Sequence, residues 1–145
     1  MTIERLREVS QTCLAGEPLD AELAHWLGDR LRDYLECRCG SIEEAFELRF
    51  AQGGVPWWKE ERMRRRDAAL RALAETWPDD LTTGAVSREL NKLAVRYAAS
   101  AWLIDRKKAE MPVSYEGGRR EHLWRAFASG APMPLGERQI RNIIA

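Results

Sequence analysis

Apolar residues recur along this chain at steps of three and four, and no stretch alternates convincingly with period two. The pattern therefore predicts helices almost throughout. Ile3, Leu6, Val9, Cys13 and Leu14 lie on or near one face of a first helix over about 3–15, which stops at Gly16. Asp20 caps a second, whose inward stripe of Leu19, Leu23, Trp26, Leu27, Leu31, Tyr34 and Leu35 leads to a stop at Gly40. Ser41 and Glu44 form a capping box for a third helix reaching about Phe50. Pro56 opens a fourth, which turns Met63, Leu70, Leu73, Ala74 and Trp77 inward and ends before Pro78.

A fifth helix, over about 83–109, is the expected centre of the fold. Val86, Leu90, Leu93, Tyr97, Ala101 and Ile104 form its stripe. Between Leu93 and Ile104 it is apolar nearly all round, with Arg96 the only charge, and such a helix is expected to be surrounded by others. A sixth helix covers about 119–129 and a seventh about 137–144. In the seventh, Gly136 is the N-cap, Gln139 can reach back to the cap N–H, and Leu135 and Ile140 hold the positions of a hydrophobic staple. The expected fold is all-α: a bundle of about seven helices around the long helix 83–109. Residues 1–110 make the bundle, and 119–145 make a C-terminal helical hairpin packed on it within one compact domain.

Composition narrows the class. The chain has 145 residues, 45% hydrophobic and 32% charged, which suits a globular domain rather than a disordered segment. No segment is apolar for the ~18 residues of a membrane span, and the N-terminus is charged where an export signal needs an apolar run. A cytoplasmic protein with Cys13, Cys37 and Cys39 as reduced thiols is expected. The net charge of zero is unevenly spread: residues 1–55 carry −5, 56–110 carry +3 and 111–145 carry +2. The basic back half either complements the acidic front or is free for a polyanion.

The last helix gives that question a location. Ile140, Ile143 and Ile144 share one face, Arg138, Arg141 and Asn142 lie on the other, and Gln139 is at the flank. Arginine pairs with guanine, and asparagine or glutamine with adenine, so these are side chains that read base edges. With the preceding helix ending at Gly130, residues 119–145 resemble a helix-turn-helix, which implies a second helix in the major groove of duplex DNA. The link from Gly130 to Leu135 is longer than the usual turn of ~3–4 residues. The alternative is a hairpin whose isoleucines only close the core.

Arg119 and Arg120, after Gly117 and Gly118, begin the sixth helix and could hold a phosphate there, unless Glu116 and Glu121 neutralise them. Arg88, Lys92 and Arg96 form a like-charge ladder that needs an acidic partner, Asp29 with Asp33 or nucleic-acid phosphate. Arg66 falls among apolar positions and also needs a partner. Trp57 and Trp58 cannot both enter one core, so one is a candidate for contact with a protein partner or a base.

Catalytic and metal patterns are missing from the sequence. Cys37 and Cys39 are too close for the usual zinc pair, His25 and His122 lack companions, and no nucleophile or nucleotide-binding motif occurs. The expectation is a non-enzymatic regulator that binds duplex DNA through Arg138, Gln139, Arg141 and Asn142, with Arg119, Arg120 and Lys92 on phosphates. No cofactor, metal or membrane partner is expected. The rival expectation is a helical adaptor for another protein, using Trp57 and Trp58; DNA reading by so small a surface would call for a homodimer.

Overall fold

A computed structural model describes residues 2–50 and 53–145. Among the described residues there are eight α-helices and no strand, so the protein is all-helical. The chain divides into two compact units, Met1–Trp57 and Trp58–Ala145. The division follows the core: residues from the middle of the chain and from its C-terminal helices share one apolar cluster, so 119–145 belongs with them.

The first unit contains α1 (Thr2–Leu14), α2 (Ala21–Leu35) and α3 (Ile42–Ala45). Its small core holds Leu23, Ala45 and Phe46, with Trp26 meeting the Phe46 ring edge-on at 5.7 Å. Helix α1 buries none of its residues fully and is tied down by Arg5, which pairs with Glu22 at 3.2 Å and lies over Trp26. Asp20 caps α2 through the Leu23 N–H, and Ser41 caps α3 through the Glu44 N–H, as the spacing predicts.

Both helices end earlier than their patterns indicate. After α2 the left-handed residue is Cys37 (φ 55°), and the Arg38 and Cys37 N–H groups donate to Asp33 and Tyr34 carbonyls. After α3 the same closure uses Glu47 (φ 55°), with the Leu48 N–H donating to Glu43. These are Schellman ends built on side-chain-bearing residues, where glycine is the usual choice. A glycine preference alone therefore predicts the first stop at Gly40 and a next helix reaching about Phe50.

The second unit contains α4 (Trp57–Ala74, from its second residue), α5 (Thr83–Ala99), α6 (Ala101–Asp105), α7 (Arg119–Ala128) and α8 (Glu137–Ile144). A short 3₁₀ turn, Val113–Tyr115, precedes α7. The core joins Ala69, Leu70 and Leu73 of α4, Leu90, Ala94 and Tyr97 of α5, Leu123 and Ala126 of α7, and Ile140 of α8. Leu70, Leu73, Leu90 and Ala126 are fully closed to solvent. Tyr97, Trp102 and Phe127 pack as an aromatic trio beside them.

The expected continuous helix 83–109 is broken at Ser100 (φ −130°, ψ −94°). Its hydroxyl donates to the Arg96 carbonyl at 2.6 Å, and its N–H reaches back only to Tyr97. A hydroxyl inserted into the carbonyl row interrupts the regular ladder and turns the helix. Nor is this segment enclosed: Val95, Leu103 and Ile104 are 61%, 47% and 65% exposed. The apolar run marks a helix with one core face and one bare apolar face.

Candidate functional site

Helix α8 packs against α5, with Ile140 buried and Ile143 and Ile144 against the core cluster. Two arginines of α4 fasten this C-terminal segment. Arg66 donates to the Pro132 carbonyl at 2.6 Å and pairs with Asp67, which supplies the partner its apolar surroundings demand. Arg71 donates to the Ile143 carbonyl at 2.9 Å, a cation at the negative end of α8. The helix begins as the sequence predicts, with Gly136 at the N-cap, but Gln139 accepts the Leu135 N–H instead of that of the cap. Leu135 is 94% exposed, so the staple with Ile140 does not form.

The predicted DNA-contacting residues separate into two groups. Arg138, Arg141 and Asn142 are exposed together on the outer face of α8. Among the described residues, neither Arg138 nor Arg141 has an acidic or aromatic partner for its side chain. The others are engaged within the protein. Gln139 is tied to Leu135 as above, and Lys92 pairs with Glu89 at 2.9 Å. Arg119 lies over the Trp77 ring at 4.0 Å and donates to the Thr76 hydroxyl and carbonyl. Arg120 lies over the Tyr115 ring.

The N-terminus of α7, for which the sequence offers a phosphate site or neutralisation by Glu116 and Glu121, already holds an anion of its own. Glu121 accepts the Gly117 N–H at 2.7 Å and pairs with Arg125 at 2.6 Å. The ladder on α5 likewise finds acids nearby, Arg88 at Glu137 and Lys92 at Glu89. Asp29 and Asp33, the acids expected to face it, pair with Arg32 and Arg38.

No family model matches the chain, and neither the curated proteins nor the solved structures contain a significant match.

Two features fall outside the sequence reading, and a third bears on the tryptophan pair that the sequence singles out. The first is a buried carboxylate. Asp105, at the end of α6 and 3% exposed, accepts the Tyr97 hydroxyl at 2.9 Å and the Tyr115 hydroxyl at 2.8 Å, with Lys108 at 3.4 Å. Burial pushes its acidity toward the neutral form, but donation from Tyr115, Tyr97 and Lys108 outweighs this and holds its pKa below the ordinary aspartate value. Burial and Asp105 together push the Tyr97 pKa well up; Asp105 and burial raise that of Tyr115. This network fastens the 3₁₀ turn to α5 and α6.

The second is a groove of about 460 Å³ between α4 and α7. Ala68, Ala72 and Ala128 form its apolar lining with Trp124, and Arg65 and Arg125 line it too, with largely exposed side chains. His122 lines it as well. The Trp124 indole N–H is buried without an acceptor, an omission that costs about 1–3 kcal/mol. The alanines on α4 and Ala128 on α7 were the available sequence signal.

The third concerns the tryptophan pair. Trp57 is partly buried with its indole N–H unpartnered, whereas Trp58 is 45% exposed beneath the Arg62 guanidinium, 4.9 Å from its centroid. Trp58, Arg62 and Met63 border a smaller cavity of about 160 Å³ with Gly130 and Pro132. Gly130 is left-handed (φ 79°), and a Cβ there would press on the Arg62 side chain at 3.3 Å. His25 is an exposed partner of Asp29, and among the described residues no three His, Cys, Asp or Glu side chains converge as a metal site.

Proposed function

We propose that the second unit binds nucleic acid, duplex DNA in the first instance, through the outer face of α8, and acts as a small regulator. The observation that carries this reading is the pair of unpartnered guanidinium groups, Arg138 and Arg141, on a helix whose opposite face is anchored in the core. Most other arginines of the second unit meet an acid, a carbonyl or a ring. The charge balance supports it, since residues 1–57 carry −5 and residues 58–145 carry +5. Arg138, Arg141 and Asn142 contact base edges or phosphates in this reading. Arg119, Lys92 and Gln139 are spoken for by Trp77, Glu89 and Leu135, so they drop out of the proposed contact set. An eight-residue reading helix offers few base contacts, and pairing of two copies on DNA supplies the second half-site.

The test is binding of the whole chain to a mixed-sequence duplex over a salt series. Affinity is expected to fall steeply with salt, and Arg138→Ala with Arg141→Ala is expected to flatten the slope by roughly 0.9 per lost phosphate contact. Absence of binding at low salt refutes the reading. The adaptor alternative is favoured by one observation, the half-exposed Trp58 beside its cavity. It would be supported by a protein partner whose binding is abolished by Trp58→Ala and untouched by the α8 pair.

A further inference from the structure

We infer that the groove between α4 and α7 is a binding site for a small organic anion, an apolar body carrying a carboxylate. Its volume of about 460 Å³ lies within the ~300–1,000 Å³ typical of small-molecule pockets. Ala68, Ala72 and Ala128 present only methyl groups to it, and the Trp124 indole forms part of its wall, so the interior suits hydrocarbon or an aromatic ring. The charged part of the lining is cationic: Arg65 and Arg125 both line the groove, and no acidic side chain does so among the described residues.

The arginines are poised for an external anion. Arg65 is held through Nε by Glu61 at 3.2 Å, and Arg125 through one terminal nitrogen by Glu121 at 2.6 Å, each acid one turn back on the same helix. The acids are the sheltered partners, 11% and 17% exposed, while the guanidinium side chains are 69% and 60% exposed. Each planar guanidinium keeps further N–H donors, and its fork matches a carboxylate. An apolar body in the groove therefore brings an attached carboxylate to the guanidinium groups at its edge. The groove contains no residue of α8, so this site stands independently of the proposed DNA face.

Calorimetry of the full chain with 2-naphthoate and with the neutral 2-naphthamide tests the assignment. The Trp124 indole N–H resonance, identified by Trp124→Phe, reports location. Saturable binding of the acid is expected, tighter than the amide by about tenfold, as loss of a charge-assisted hydrogen bond implies. Arg65→Gln with Arg125→Gln is expected to erase the difference between acid and amide while helix content stays unchanged. Ala72→Leu, which fills the groove, is expected to weaken both ligands. The exposed arginine pair keeps the test decisive if Ala72→Leu does not fold. No saturable binding, equal affinity for acid and amide, or an acid preference that survives the double arginine change overturns the inference.

Discussion

Replacing Asp105 by asparagine probes the most concentrated polar interaction in the protein. The substitution keeps the shape and one acceptor oxygen but removes the charge that Tyr97, Tyr115 and Lys108 converge upon. A hydrogen bond to a charged group is worth roughly 1.5–3 kcal/mol and a neutral one roughly 0.5–1.5, so weakening two tyrosine bonds costs about 2 kcal/mol. The half-exposed Lys108 adds little, because solvent screens it. For a cooperative unit the size of Trp58–Ala145, about 2 kcal/mol corresponds to a Tm lower by roughly 8–16 °C. The pH dependence gives the sharper signature. Because the folded Asp105 pKa is depressed, its contribution is full above the unfolded aspartate value of ~3.9 and is lost as pH falls through the folded value. Urea unfolding at neutral pH and again in strong acid should therefore show the gap between Asp105→Asn and the parent closing on acidification. A variant as stable as the parent at neutral pH would refute the reasoning, because the buried charge would then be a net burden. A gap that does not change with pH would refute it equally.

Other consequences follow at separate sites. Tyr97 and Tyr115 should ionise above the ordinary tyrosine range, so the stability they lend is full below pH ~10 and lost as pH rises through their folded values; tyrosinate absorbance during alkaline titration, compared with Tyr97→Phe and Tyr115→Phe, measures this. Leu90→Ala, at a site with no solvent exposure, should destabilise the second unit by about 2–5 kcal/mol in denaturant unfolding. Cys37→Gly relieves a side-chain-bearing residue of its left-handed backbone and should stabilise the first unit by about 0.5–1 kcal/mol, read from local amide-exchange protection.

Period and caps made most of the helices legible. Asp20 and Ser41 act as their residue types dictate, and the isoleucines of α8 fall inward as their spacing requires. Stops were harder to read wherever the chain used an unusual residue. Cys37 and Glu47 take the backbone conformation usually left to glycine, and Ser100 breaks a helix in a run of strong helix formers. These departures depend on tertiary packing, to which local propensity is blind. Partner assignment was harder still. Sequence showed that Arg66 needs a partner, but its acceptor lies at Pro132, and Arg119 meets Trp77 in the turn after α4. Asp105, written between an apolar run and Arg106, Lys107 and Lys108, gives no hint of the two tyrosines that meet it.

The fastening of the C-terminal segment also has a kinetic side. Arg66 and Pro132 are 66 residues apart in sequence, and Arg71 and Ile143 are 72 apart. Helix α8 has eight residues, fewer than the ~12–15 at which an isolated helix becomes even marginally stable in water. It therefore takes shape by docking, after a long loop has closed, and contacts of such separation form slowly. The side carrying Arg138 and Arg141 is therefore complete only once α8 has docked. A partner that grips this side draws on the closed loop, and by mass action lowers the population in which the C-terminal segment has opened.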